Sequence, residues 1–154
     1  MRFPPPLVDL STLIVNNYFR WTGRHLLDPS LEGTPLADAL FHLDAVVVSH
    51  DTQPDPVFQY GNQLALSLFE MDWDTFTRLP SRFSAEPMNQ PEREALLTAV
   101  SQTGFTDTYS GVRISRTGKR FRIQQATVWQ LLTPDGTPCG QAATFRHWTP
   151  LPTP

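Results

Sequence analysis

Fifteen prolines punctuate the 154 residues of this chain, and they are spread unevenly. They cluster at both ends and around residues 54–56, 80–91 and 134–138, and they leave residues 57–79 and 92–133 without any. Proline lacks a backbone N–H and holds φ near about −65°, so it interrupts helices and sheet ladders. Regular structure is therefore expected in the two proline-free stretches, with turns between them and extended or frayed ends.

The apolar periodicity fills in the elements. Leu10, Leu13, Ile14, Tyr18, Trp21 and Leu26 recur at helical spacing, which predicts a helix over residues 9–27 with Asp9 or Ser11 as its cap. Thr34-Pro35 opens a short second helix. Residues 45–50 read as a buried strand, residues 51–56 as a turn and residues 57–60 as the returning strand of a hairpin. Gly61-Asn62 then converts strand to helix within two residues: Gly61 tolerates the corner, and Asn62 accepts from the free N–H groups of the next helix. Asp72 caps a further short helix carrying Trp73, Phe76 and Leu79. Asn89 starts another, with Glu92 in capping-box position, Leu96, Leu97 and Val100 facing inward, and Thr103-Gly104 as its stop.

The last third reads as strand. The apolar phase flips at Ser110-Gly111, which predicts a bulge. Arg116-Thr117-Gly118-Lys119 forms a turn, and residues 120–132 alternate with Phe121, Ile123, Thr127 and Trp129 on one face. Residues 140–148 are the final strand. Strand runs separated by a helical run predict an α+β fold: a five-stranded antiparallel sheet with helices on one face, plus an N-terminal helical extension. The organisation expected is an extension over residues 1–35, a domain over residues 36–148 and a proline-rich tail over residues 149–154.

A chain of this length buries a core without disulfides, and its single cysteine, Cys139, permits no internal disulfide. The net charge of −3 argues against a nucleic-acid or anionic-membrane binder. No apolar run approaches the ~18 residues of a membrane span. The prolines near the N-terminus break any signal-peptide core, so a cytoplasmic location is expected.

The ordered set of motifs resembles a known family. It comprises Val57-Phe58-Gln59-Tyr60-Gly61-Asn62-Gln63-Leu64-Ala65-Leu66, Phe69-Glu70-Met71, Leu79-Pro80-Ser81-Arg82, Ser84-Ala85-Glu86-Pro87, Gly104-Phe105, Tyr109-Ser110-Gly111-Val112-Arg113-Ile114-Ser115, Gly118-Lys119-Arg120-Phe121 and Ala126-Thr127-Val128-Trp129. These are similar to the MEKHLA domain, a module related to PAS domains that stands alone in some bacterial proteins and closes the plant class III homeodomain–leucine zipper factors. The resemblance covers residues 36–148. It implies a PAS-like fold and a sensory or regulatory role with no established ligand. In the plant factors the domain sits beside DNA-binding and lipid-binding domains that have no counterpart in these residues.

A PAS-like arrangement places a ligand between sheet and helices. Tyr60, Leu66, Phe69, Trp73, Phe76, Phe83, Phe105, Tyr109, Ile123, Trp129 and Phe145 are the expected lining, or else simply the core. Gln125 stands between Ile123 and Thr127 on a face read as apolar, either orienting a ligand or tied to backbone. Asn62 is a further ligand candidate, although capping explains it. His25, His42, His50 and His147 lack zinc spacing, and Cys139 resembles no photoreactive flavin motif. Arg113, Arg116, Lys119, Arg120 and Arg122 read as a solvated basic face. No nucleophile, phosphate-loop or metal motif is present, so a non-enzymatic domain with no specified cofactor is expected. Its expected partners are a small molecule and either a second copy or another protein, with the N-terminal helix packing on its own sheet or on a partner. The alternative is a ligand-free interaction and dimerisation module.

Overall fold

The computed structural model describes residues 2–152. The first helix, α1 (Pro5–Thr22), starts four residues before the expected position, inside the proline cluster. Pro5 and Pro6 occupy first-turn positions, where the missing N–H is no loss and the fixed φ suits a helix. Neither Asp9 nor Ser11 caps it. The Ser11 hydroxyl is buried and donates to the Leu7 carbonyl. Gly23, left-handed at φ 71°, ends the helix. A short helix, α2 (Gly33–Phe41), follows.

Strands β1 (Val46–His50) and β2 (Phe58–Gly61) form the expected antiparallel hairpin. The helical run is α3 (Gln63–Phe69), α4 (Trp73–Phe76), two single 3₁₀ turns at Ser81–Ser84 and Pro87–Asn89, and α5 (Gln90–Thr103). Asn62 and Asp72 cap α3 and α4 through their side chains, as expected. The capping box at Asn89 does not form: the preceding 3₁₀ turn puts Asn89 itself in the helical region, so its side chain cannot fold back over the first turn.

Strands β3 (Phe105–Ile114), β4 (Arg120–Leu132), β5 (Pro138–Phe145) and β6 (His147–Pro150) complete an antiparallel sheet of order β2-β1-β5-β4-β3. The expected last strand is two. β5 pairs with residues 127–132 of β4, and β6 pairs with residues 121–124. The break coincides with Gln125, a non-glycine residue at φ 53°. That kink also reverses the side-chain phase of β4. Phe121, Ile123 and Ala126 join one core cluster, while Trp129 and Leu131 join the other.

The sheet is covered on both faces. Helices α3 and α4 pack with Val46, Phe58, Phe121, Ile123 and Phe145 on one side. On the other, α1 lies over Val47, Tyr60, Trp129, Leu131 and Ala142. Leu7, Ile14 and Tyr18 supply the apolar stripe of α1, and each fully buried aliphatic or aromatic side chain contributes roughly 1.5–3 kcal/mol. Three hydrogen bonds fix its position. The Trp129 indole donates to the Ile14 carbonyl at 3.2 Å, the Trp21 indole to the Gln130 carbonyl at 2.8 Å, and the Asn17 amide to the Leu132 carbonyl at 2.9 Å. The N-terminal helix packs on its own sheet.

Candidate ligand cavity

Between the sheet and the α3–α5 side lies a cavity of about 70 Å³. Its floor comes from three adjacent strands whose registers align cavity-facing residues: Val48 opposite Ala143, His50 opposite Gln141, and Val128 opposite Ala143 from the other side. Phe58, Phe69, Leu96, Leu97, Ile123 and Phe145 make most of the remaining wall apolar. The polar groups that reach it are Ser49, His50, Ser81, Ser84, Arg93, Tyr109, Arg113 and Gln141.

Each polar group has a local cause. Arg93 shares the helical stripe of Leu96, Leu97 and Val100, so α5 buries it with them, and its guanidinium donates to the Ser81 hydroxyl. Burial, and then the nearby Arg113, lower its pKa from the ordinary arginine value. Arg113 pairs across the ladder with Phe121 and so faces the core. It donates to the Val112 carbonyl at 2.9 Å and to the Tyr109 hydroxyl at 3.2 Å. Tyr109 folds back over Gly111, where any Cβ would collide with the ring, so this close approach requires glycine. The expected bulge is present as register shifts on both sides of Tyr109.

His50 and Gln141 are each half satisfied. The His50 Nδ1 lies 2.8 Å from the Asp51 carbonyl and donates to it, which leaves Nε2 as a buried acceptor with no partner. Desolvation holds the His50 pKa below its ordinary value, so the ring is neutral near pH 7. Gln141 donates from Nε2 to the Leu97 carbonyl at 3.0 Å and the Ser101 hydroxyl at 3.1 Å, while its Oε1 is buried and unpartnered.

The residues expected to line a ligand site separate into groups. Phe69, Tyr109, Ile123 and Phe145 line the cavity. Leu66 and Phe76 pack in the same cluster without lining it. Tyr60, Trp73, Phe105 and Trp129 belong to the opposite, α1 side. Phe83 is exposed and lies under Arg82 at 4.1 Å. Gln125 is exposed rather than set in an apolar face, because the left-handed kink turns it out. It borders a polar groove of about 280 Å³ with His25, Thr127 and His147.

Asn62 is fully occupied by backbone. Its Oδ1 accepts from Val47 and Ala65, and its Nδ2 donates to Leu40 and Ala45. The solvated basic face holds for Arg116, Lys119 and Arg122, which are exposed, Lys119 beside Glu70 at 3.1 Å; Arg113 is instead buried, and the half-buried Arg120 pairs with Glu86 at 2.6 Å. Hydrogen bonds from Thr117, Ser115 and Lys119 hold the Glu70 carboxyl down at about 2. Sequence reasoning did not single out Ser81, Ser84, Arg93 or Gln141 for the site. The helical spacing of residue 93 to residues 96, 97 and 100 was the one signal available for Arg93.

Comparison with known proteins fixes the lineage. The chain matches the MEKHLA domain family over residues 8–150. The chain belongs to this family. Among plant relatives, the homeobox-leucine zipper protein ATHB-14 of Arabidopsis thaliana is 30% identical over 152 residues, which is 94% of this chain but 18% of that protein. This MEKHLA chain therefore spans about a fifth of the relative it matches. Its fold is PAS-like. The PAS domain of a protein from Colwellia psychrerythraea superposes with a TM-score of 0.62 at 14% identity, covering 75% of this chain and 92% of that one. A light-oxygen-voltage domain studied with a flavin analogue gives 0.59 at 19% identity, covering 76% and 84%.

A flavin does not fit the MEKHLA cavity. Benzene alone occupies an engineered cavity of about 150 Å³, and this one is about 70 Å³. Cys139 packs in the α1-side cluster, with the sheet between it and the cavity, and burial raises its thiol pKa.

Proposed function

We propose that this domain is a non-enzymatic, small-molecule-responsive regulatory module that binds its ligand in the cavity between the sheet and α3–α5. The observation that carries this reading is the pair of buried, unpartnered acceptors, His50 Nε2 and Gln141 Oε1, on one small apolar cavity. Buried polar groups are almost always hydrogen-bonded, and an unsatisfied one costs about 1–3 kcal/mol. A ligand donor would recover that energy. The PAS-like fold and the family membership support a sensory role.

The route outward runs through the sheet. Gln141 Nε2 lies 3.4 Å from Gln130 Oε1, and the Gln130 carbonyl accepts from the Trp21 indole on α1. A ligand that repositions Gln141 would shift Gln130 and loosen or tighten α1 on the opposite face. The partner in a cytoplasmic setting would be a second copy or another protein that reads α1. The ligand-free interaction module is the competing reading, and α1 already covers the sheet face such a module would offer.

Methyl NMR of the full chain, titrated with a protein-free metabolite extract, tests the reading. Val48, Leu96, Ile123 and Val128 are expected to shift before Leu7 and Ile14. An unchanged set of cavity methyls would refute ligand binding there.

A further inference from the structure

Two guanidinium groups reach this cavity with no carboxylate to meet them. Arg93 and Arg113 are each more than nine-tenths buried. Among the described residues the ion pairs are those of Arg24, His42, Arg82, Lys119 and Arg120, and neither buried arginine takes part in one. Arg93 reaches only the Ser81 hydroxyl, and Arg113 only the Val112 carbonyl and the Tyr109 hydroxyl. Arginine carries five N–H donors, so most of theirs face no protein acceptor. Arg113 disfavours the charge on Arg93, while Glu94 and Asp55 favour it without forming an ion pair with it. None of the unpaired guanidinium nitrogens is fully buried, so solvent reaches them, but no opposite charge sits beside either group, and an anion would add charge-assisted hydrogen bonds. Water would solvate the donors but would bring no opposite charge.

The free acceptors complete the description. His50 and Gln141 are register partners on β1 and β5, and their unpartnered atoms call for an O–H or N–H donor. The volume of about 70 Å³ encloses only a few heavy atoms, a carboxylate and the atoms next to it. The planar guanidinium fork matches a carboxylate.

We infer that the cavity binds the carboxylate end of a small organic acid, with its carboxylate on Arg93 and Arg113 and a neighbouring hydroxyl or N–H donating to His50 Nε2 or Gln141 Oε1. This rests on the reading of the cavity as a ligand site. The apolar walls favour an organic acid over inorganic phosphate, which has no apolar part to bury.

Calorimetry of the full chain with lactate, propionate, 1-propanol, propylamine and inorganic phosphate tests it. The expected order is lactate, then propionate, with 1-propanol and propylamine weaker than lactate by about 10-fold or more, the scale of a charge-assisted hydrogen bond. Arg93→Met is expected to weaken lactate about 10-fold or more and to raise the thermal midpoint of the free protein, because a buried unpaired charge is replaced by an apolar chain of similar reach. Arg113→Met is expected to do the same, which guards against one variant failing to fold. Binding of 1-propanol as tight as lactate would overturn the anion assignment and leave the ligand cavity standing. Binding of phosphate alone would overturn the carboxylate. A lowered midpoint with lactate affinity intact would make the arginines structural and sink the inference. No response to any probe, together with unmoved cavity methyls in the extract titration, would remove the ligand cavity as well.

Discussion

Three polar side chains, Asn62 just past the end of β2 and His50 and Gln141 on β1 and β5, contrast in how they are used. Asn62 has every polar atom engaged by backbone from four directions, and part of that role was legible because capping is local: the acceptor and the Ala65 N–H lie three residues apart. The half-satisfaction of His50 was not legible, because it depends on which elements close over Nε2. That half-satisfaction has a pH consequence. The folded pKa of His50 lies below its ordinary value through desolvation, with Arg93 opposing protonation and the Asp51 carbonyl and carboxylate favouring it. Below about pH 6.5 the unfolded chain takes up a proton that the folded chain refuses. The contribution is therefore complete above pH 6.5 and is lost as pH falls toward the lower folded value, at no more than about 1.4 kcal/mol per pH unit. Urea unfolding between pH 7.5 and 5.5 is expected to show this slope in the wild type and a shallower one in His50→Gln. Equal slopes would remove His50 as the cause.

At the scale of elements, local chemistry was read well where it was decided locally. The Gly61-Asn62 corner, the Asp72 cap, the stop at Gly104 and the bulge around Tyr109 all follow from residues within a few positions of each other. The failures share another cause. A left-handed Gln125 breaks the period-2 reading of β4, so Thr127 and Trp129 face α1 while Ile123 faces the cavity. Prolines that read as chain ends begin α1, because the first helical turn tolerates them. The docking of α1 also explains Gly104. Its φ is 95°, and a Cβ there would enter the Trp21 ring. Gly104→Ala is expected to destabilise the fold by about 1–3 kcal/mol through backbone strain, with faster amide exchange concentrated in α1. Unchanged α1 exchange would show that Trp21 does not anchor this helix.

Over the whole molecule, an acidic chain of net charge −3 folds around an interior site that carries two unpaired positive charges. Composition gave no hint of this, since net charge describes the surface that solvent meets and says nothing of where individual charges are buried. The sheet separates two features. One face forms the cavity, the other seats α1, and Gln141, Gln130 and Trp21 connect them by hydrogen bonds. Native mass spectrometry of the purified full chain, against the same sample denatured and against Arg93→Met, tests the ligand cavity most directly. The expected result is an added small mass on the native wild type that disappears on denaturation and is absent from Arg93→Met. A wild type whose native mass equals its denatured mass would contradict the account.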